Sequence, residues 1–152
     1  MEKSTRRNLV FAFTITAISL LWFAYYAILP FFMIVASDDP VIGSPTLVKA
    51  RKIIGVNNHK TQGTVSFYNN GDNYILRYEN LFTDNCPDMR VYLSKDLNAQ
   101  DYIDIGPSIS TAGNINYLIP ENVNVANYQY ALYWCTPFRA LFNYADISLK
   151  KE

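Results

Sequence analysis

From Leu9 to Ala36 the chain runs 28 residues without a charge, and only Thr14, Thr16 and Ser19 among them are plainly polar. A helix of that length spans about 42 Å at 1.5 Å per residue. The hydrocarbon core of a bilayer needs roughly 20 apolar residues, so the run is long enough to cross with tilt. Lys3, Arg6 and Arg7 precede it against the single acid Glu2, while Asp38 and Asp39 follow it. Basic flanks are retained in the cytoplasm, which predicts a cytoplasmic N-terminus and a translocated remainder. The rival reading is a cleaved signal peptide, with Ile34 and Ala36 at fitting positions before the cut. Its apolar region would span about 7–15 residues, far shorter than this run, so an uncleaved signal-anchor is expected. No cysteine stands directly after the run, which argues against a lipid anchor. Pro30 is expected to kink or end the helix, leaving Phe31 to Val35 for the interface. Trp22, Tyr25 and Tyr26 fall mid-run and do not fix its depth.

The expected organisation is a cytoplasmic stretch 1–8, a transmembrane helix 9–36, a juxtamembrane linker 37–58 and one domain 59–152 of the 152 residues. Within the linker, Asp38, Asp39, Pro40, Gly43, Ser44 and Pro45 break helices or form turns. Thr46 to Ile54 reads as a stalk helix or an edge strand.

Beyond Thr61, short β-rich runs alternate with turn clusters. Thr64 to Tyr68 and Tyr74 to Tyr78 flank Asn69-Asn70-Gly71-Asp72, and Asn-Gly between such runs marks a hairpin. Met89, Val91 and Leu93 alternate with Arg90, Tyr92 and Ser94, the pattern of a half-buried strand. Tyr102 to Ile105, Asn114 to Ile119, Tyr128 to Cys135 and Arg139 to Ile147 complete the set, with prolines and glycines between them. An all-β fold follows: an antiparallel β-sandwich of about seven to eight short strands behind one transmembrane helix. Core candidates are Val65, Phe67, Ile75, Leu76, Val91, Leu93, Ile103, Tyr117, Tyr130, Leu132, Trp134, Leu141 and Phe142.

Charge narrows the function classes. The 13 basic and 13 acidic side chains cancel overall, but removing Lys3, Arg6, Arg7 and Glu2 leaves the part from Ser37 onward with ten and twelve, about −2. A nucleic-acid binder shows a basic face, and none is visible.

Cys86 and Cys135 are 49 positions apart. In a compartment where disulfides persist they suggest one bridge, worth about 3–4 kcal/mol by loop closure. Two alternatives stay open: a redox thiol or haem ligand at Cys135, and two buried thiols. Neither Cys-x-x-Cys nor Cys-x-x-Cys-His occurs, so thioredoxin-like exchange and covalent c-type haem lack support, while a b-type haem on an axial Cys, His or Met stays within reach. His59, the one histidine, reads as an axial ligand or proton shuttle, or as a hydrogen-bonded residue at a strand start. One histidine and two cysteines are too few for a closed zinc site without carboxylates. The loose acid pairs Asp84/Asp88 and Asp101/Asp104 match no calcium loop and read as solvated turn acids. No Gly-x-Ser-x-Gly elbow or phosphate-binding loop is present, so an ordinary hydrolytic enzyme is a distant third reading. On an extended strand Tyr128, Tyr130, Leu132 and Trp134 share one face, and Gln129, Ala131, Tyr133 and Cys135 the other. That pattern reads either as a core with one face inward or as an aromatic-walled pocket beside a thiol.

Four ordered segments carry a resemblance. They are His59-x-x-x-Gly63-Thr64-Val65; Asn80-Leu81-Phe82 with Pro87-Asp88-Met89-Arg90-Val91-Tyr92-Leu93-Ser94; Gly113-Asn114-Ile115-Asn116-Tyr117-Leu118-Ile119-Pro120; and Trp134-Cys135-x-Pro137-Phe138 with Leu141-Phe142-x-x-Ala145. Spanning residues 59–147, they resemble the DM-thirteen electron-transfer domain, found alone in membrane proteins and beside DOMON domains. The resemblance implies a β-sandwich and a redox role at Cys135, as a bare thiol or as the holder of a group such as haem. Trp134 and His59 join Cys135 as the expected cofactor-binding residues, with a redox protein as partner. One departure matters: Cys86 stands where the family usually has Gly before Pro-Asp. If Cys86 and Cys135 are bridged, a reversible redox disulfide replaces the free-thiol and haem-ligand roles. The competing reading is an adhesion or assembly module with a structural disulfide.

Overall fold

A computed structural model describes residues 2–29, 33–71 and 73–149. Two compact units divide the chain, Met1–Met33 and Ile34–Glu152. The expectations at Pro30, Phe31 and Phe32 lie outside the described residues.

The first unit is a helix, α1 (Glu2–Phe23), continued by a π-helical segment Ala24–Ile28. Ser4–Ile28 is long and apolar enough to cross a membrane by length and composition. The three polar side chains of its uncharged part are satisfied locally, each hydroxyl donating to a carbonyl one turn back: Thr14 to Val10 O at 3.0 Å, Thr16 to Ala12 O at 2.9 Å and Ser19 to Ile15 O at 2.9 Å.

The second unit is built of two five-stranded sheets. Its strands are β1 (Ala36–Asp38), β2 (Thr46–Lys52), β3 (Ile54–Gly55), β4 (Thr61–Asn70), β5 (Asn73–Thr83), β6 (Met89–Ser94), β7 (Tyr102–Pro107), β8 (Ala112–Ile119), β9 (Tyr130–Cys135) and β10 (Ala140–Asp146). The first sheet runs β1-β8-β5-β4-β2 and the second β3-β10-β9-β6-β7. All pairings are antiparallel except β1 with β8. The two sheets form the expected sandwich.

The seven expected strands all form, with shifted ends. The Asn-Gly turn joins β4 to β5, with Gly71 at φ 82° and Asn69 Oδ1 accepting from its amide at 2.9 Å. Residues 125–127 fold into a 3-10 turn whose Asn124 side chain caps Ala126 N, so β9 begins at Tyr130 rather than Tyr128.

The ten strands exceed the expected seven to eight because residues 36–55 contribute three. Thr46 to Ile54 takes the edge-strand alternative. β2 lies beside β4 in the first sheet, Ile53 is buried at 3% exposure, and β3 then joins β10 in the second. Turn-forming composition in 37–58 hid these strands, because a short edge strand contacts the core on only part of its surface. Asp39 and Pro40 are also held on the first sheet: buried Arg77 donates to Asp39 O at 3.0 Å and to Asn116 Oδ1 at 2.7 Å, and pairs with Glu79 at 3.2 Å.

Residues from both sheets fill the core, with Leu76, Val91, Leu93, Ile115, Tyr133 and Cys135 fully buried. On β9 the inward face is Ala131, Tyr133 and Cys135. Tyr130 and Trp134, expected inside, stand on the outer face. There Trp134 stacks near Tyr92 (centroids 6.3 Å apart), Tyr92 lies on Tyr102 at 4.2 Å, and Tyr130 meets Tyr144 edge-on at 5.8 Å. Aromatics from neighbouring strands thus cover one another outside, while Ala131, Tyr133 and Cys135 pack between the sheets.

Candidate functional site

Alternation along β9 turns Cys135 inward, between Met89 of β6 and Ala140 of β10. Cys86 sits in the loop that carries the chain from β5 in the first sheet to β6 in the second. The two are joined in a disulfide with Cα atoms 5.9 Å apart, within the roughly 7 Å such a bridge permits. Cys135 is 0% exposed and Cys86 6%. The bridge therefore pins the crossover loop to the end of β9.

That loop has a second fastening. Asp84 Oδ2 accepts from Lys60 N at 3.0 Å and pairs with His59 Nδ1 at 3.2 Å, while Asp84 N donates to Lys60 O at 3.2 Å. The His59 ring stacks on Phe142 at 3.6 Å and 11° between planes. His59 thus occupies the expected strand start as a bonded residue, and its partner is an acid 25 positions away that no local motif announces. The acids do not cluster as pairs: Asp84 serves His59, Asp88 and Asp104 flank Arg90 at 3.6 and 2.5 Å, and Asp101 meets Lys95 at 2.7 Å.

The haem reading does not fit this arrangement. The Cys135 sulfur is committed to Cys86, and Trp134, its chain neighbour, points to the opposite face of the sheet. A cleft of ≈ 320 Å³ lies instead at the other end of the sandwich, lined by Lys95, Ala126, Asn127, Tyr128, Gln129 and Ser148. The aromatic-walled pocket beside a thiol is likewise replaced by packed core.

Three inward tyrosines were invisible as a group in the sequence. Tyr78 meets Tyr133 at 4.8 Å and Tyr117 at 5.9 Å, both edge-on. The Tyr133 hydroxyl reaches Ser108 Oγ at 3.3 Å and Tyr117 at 3.5 Å. Burial pushes the phenols of Tyr78 and Tyr133 well above their ordinary pKa, and that of Tyr117 upward. The hydroxyl of Tyr78 has no partner among the described residues.

Other motif residues prove architectural. Gly63 sits at a bulge in β4 with φ 120°, where a Cβ would lie 2.8 Å from Glu79 O. Gly113, at φ 102°, lets β1 approach β8 so closely that a Cβ would fall 1.9 Å from Ser37 O. The amide of Asn80, at φ 49°, donates to Asn114 Oδ1 at 2.9 Å.

Fold and site together define a two-sheet β-sandwich with a disulfide at its crossover loop, following an apolar helix. The Electron transfer DM13 family model matches residues 54–147. The chain belongs to that family. No curated protein and no solved structure matches it.

Proposed function

We propose that this protein is a membrane-anchored, extracytoplasmic redox module, with a cytoplasmic N-terminus and a Cys86–Cys135 pair that exchanges two electrons with a partner protein. The family's electron-transfer role and the bonding of its characteristic cysteine to Cys86 support the redox part. The apolar helix behind Lys3, Arg6 and Arg7 supports the anchor, and a stable disulfide suits an oxidising compartment.

The single observation that carries the reading is the bonded Cys86–Cys135 pair. Both residues are buried, Cys86 at 6% exposure and Cys135 at 0%, so the loop bearing Cys86 has to open to admit a partner. A thiolate of a partner dithiol attacks the Cys86 sulfur, the Cys86–Cys135 bond breaks, and Cys135 leaves as a thiolate that takes up a proton. The partner's second thiolate then attacks the mixed disulfide and releases Cys86, which is protonated in turn. The partner ends as a disulfide, and two electrons have moved to this chain.

The complete burial of Cys135 favours a second reading, a binding or assembly module stapled by a structural disulfide. Equilibration of the full chain in glutathione buffers, followed by thiol alkylation and mass measurement, separates the two. A midpoint above about −300 mV is expected for the redox module, whereas resistance to reduction below that value marks a structural bridge.

A further inference from the structure

We propose that the disulfide-bearing end of the sandwich is a lipid-contacting surface, with Ile109 and Phe138 dipping into the interfacial layer of a bilayer. Strand register and backbone bonds gather four segments at this end. Ser108 N donates to Met89 O at 2.7 Å, Thr136 N to Asp88 O at 3.0 Å, and Thr111 N to Val35 O at 2.8 Å. The β7–β8 loop, the β9–β10 turn, the Cys86 loop and the entering chain therefore share one rim. Three of them expose large apolar side chains: Ile109 at 53%, Phe138 at 63%, and Ile34 at 65% beside Val35 at 45%. At the opposite end, the tips 70–73, 95–101 and 120–129 expose no large apolar side chain among the described residues, while the loop beside Asn70 exposes Val41 at 51% and Ile42 at 38%.

Apolar tips on separate loops of one rim suit an interfacial layer, where their burial is favourable and the backbone stays hydrated. Exposed Arg139 and Lys60 lie on the same rim, where long basic side chains can reach lipid phosphates. The occupant is chosen by chain continuity. Ile34 and Val35 close the uncharged run that begins at Leu9, and the Val35 carbonyl is fixed by Thr111 N and by Ser110 Oγ. Five chain steps separate Leu29 from Ile34, at most about 18 Å of extended backbone, so only a short tether joins the rest of the run to this rim. The choice of lipid rests on the anchor reading of the preceding section.

The test reconstitutes the full chain in brominated phosphatidylcholine vesicles. Tryptophan is placed by Ile109→Trp, Phe138→Trp and, at the far end, Asn122→Trp, with the signal of native Trp22 and Trp134 subtracted. Quenching of the first two at least about twice that of the third is expected. Equal quenching on protein that floats with the vesicles overturns the lipid surface and leaves the anchor standing, which would point this rim toward water or a protein. Failure to float removes the anchor reading and this proposal with it. Ile109→Ser with Phe138→Ser, each at an exposed tip, should keep the fold and lower the quenching of a tryptophan placed by Val35→Trp; unchanged quenching counts against the surface.

Discussion

The two ends of the sandwich are built from the same kinds of strand but closed in opposite ways. The far end relies on local bonds at its tips: the Asn70-Gly71 turn, the Asp96 carboxylate accepting from Asn98 N and Gln100 N, and the Asn124 cap each satisfy backbone groups within five residues, with backbone bonds from Gln129 N to Ser94 O and from Ile147 N to Gln129 O as longer-range ties. The disulfide end closes through contacts distant in sequence: Cys86–Cys135, His59–Asp84, and Val35 with Thr111. Local closure draws on turn chemistry that any loop can carry. Long-range closure holds four segments in one arrangement, and so makes a surface or a site.

That contrast is broken most severely by removing the disulfide. Cys86→Ser with Cys135→Ser should cost about 3–4 kcal/mol in urea unfolding, because a 49-residue closure is lost from the unfolded state. A cost as small as that of a far-end turn substitution would mean the other fastenings hold this end alone. Next in size, Gly113→Ala forces a Cβ into Ser37 O at a positive φ and should cost about 2–3 kcal/mol. Hydrogen exchange should show the Asp39 amide, bonded to Asn114 O at 2.9 Å, released first.

Alkaline pH sharpens the comparison. The folded pKa values of Tyr78 and Tyr133 are raised, so the folded protein keeps protons that the unfolded chain gives up near the ordinary tyrosine value of about 10. Stability from these groups is full below that pH and falls above it, by up to about 1.4 kcal/mol per pH unit for each phenol. Exchange at the β7–β8 loop, where Ser108 meets Tyr133, should rise before exchange at the far-end turns. Coincident opening of both ends would argue for a single cooperative unit.

Smaller effects belong to the far end. Gly71→Ala meets nothing within 4 Å, so its cost is the φ of 82° alone, about 1 kcal/mol, read from the thermal midpoint. Asp101→Asn removes an exposed pair with Lys95 and should leave the midpoint unchanged within error.

Much of this was legible in the residues. Met89 to Ser94 announced its strand by strict alternation, and Asn70-Gly71 announced its turn through the residue types that a left-handed backbone favours. The four motif segments located the family, and Cys86 in place of a glycine raised the bridge as one of three outcomes. Less was legible wherever two faces competed. On β9 the face of Tyr130, Leu132 and Trp134 is the more apolar, yet Ala131, Tyr133 and Cys135 face the core. Similarly, His59 gave no sign of Asp84, because an ion pair between two turns has no periodic signature.

By itself the sequence determined the uncharged run, the strand and turn alternation and the family, since each depends on neighbours within a few positions or on ordered motifs. Only the tertiary structure decided the sheet order, the inward face of β9, the capture of residues 36–55 as strands and the joining of Cys86 to Cys135. Those outcomes depend on which segments meet across two sheets and how much volume lies between them, and no local pattern encodes either.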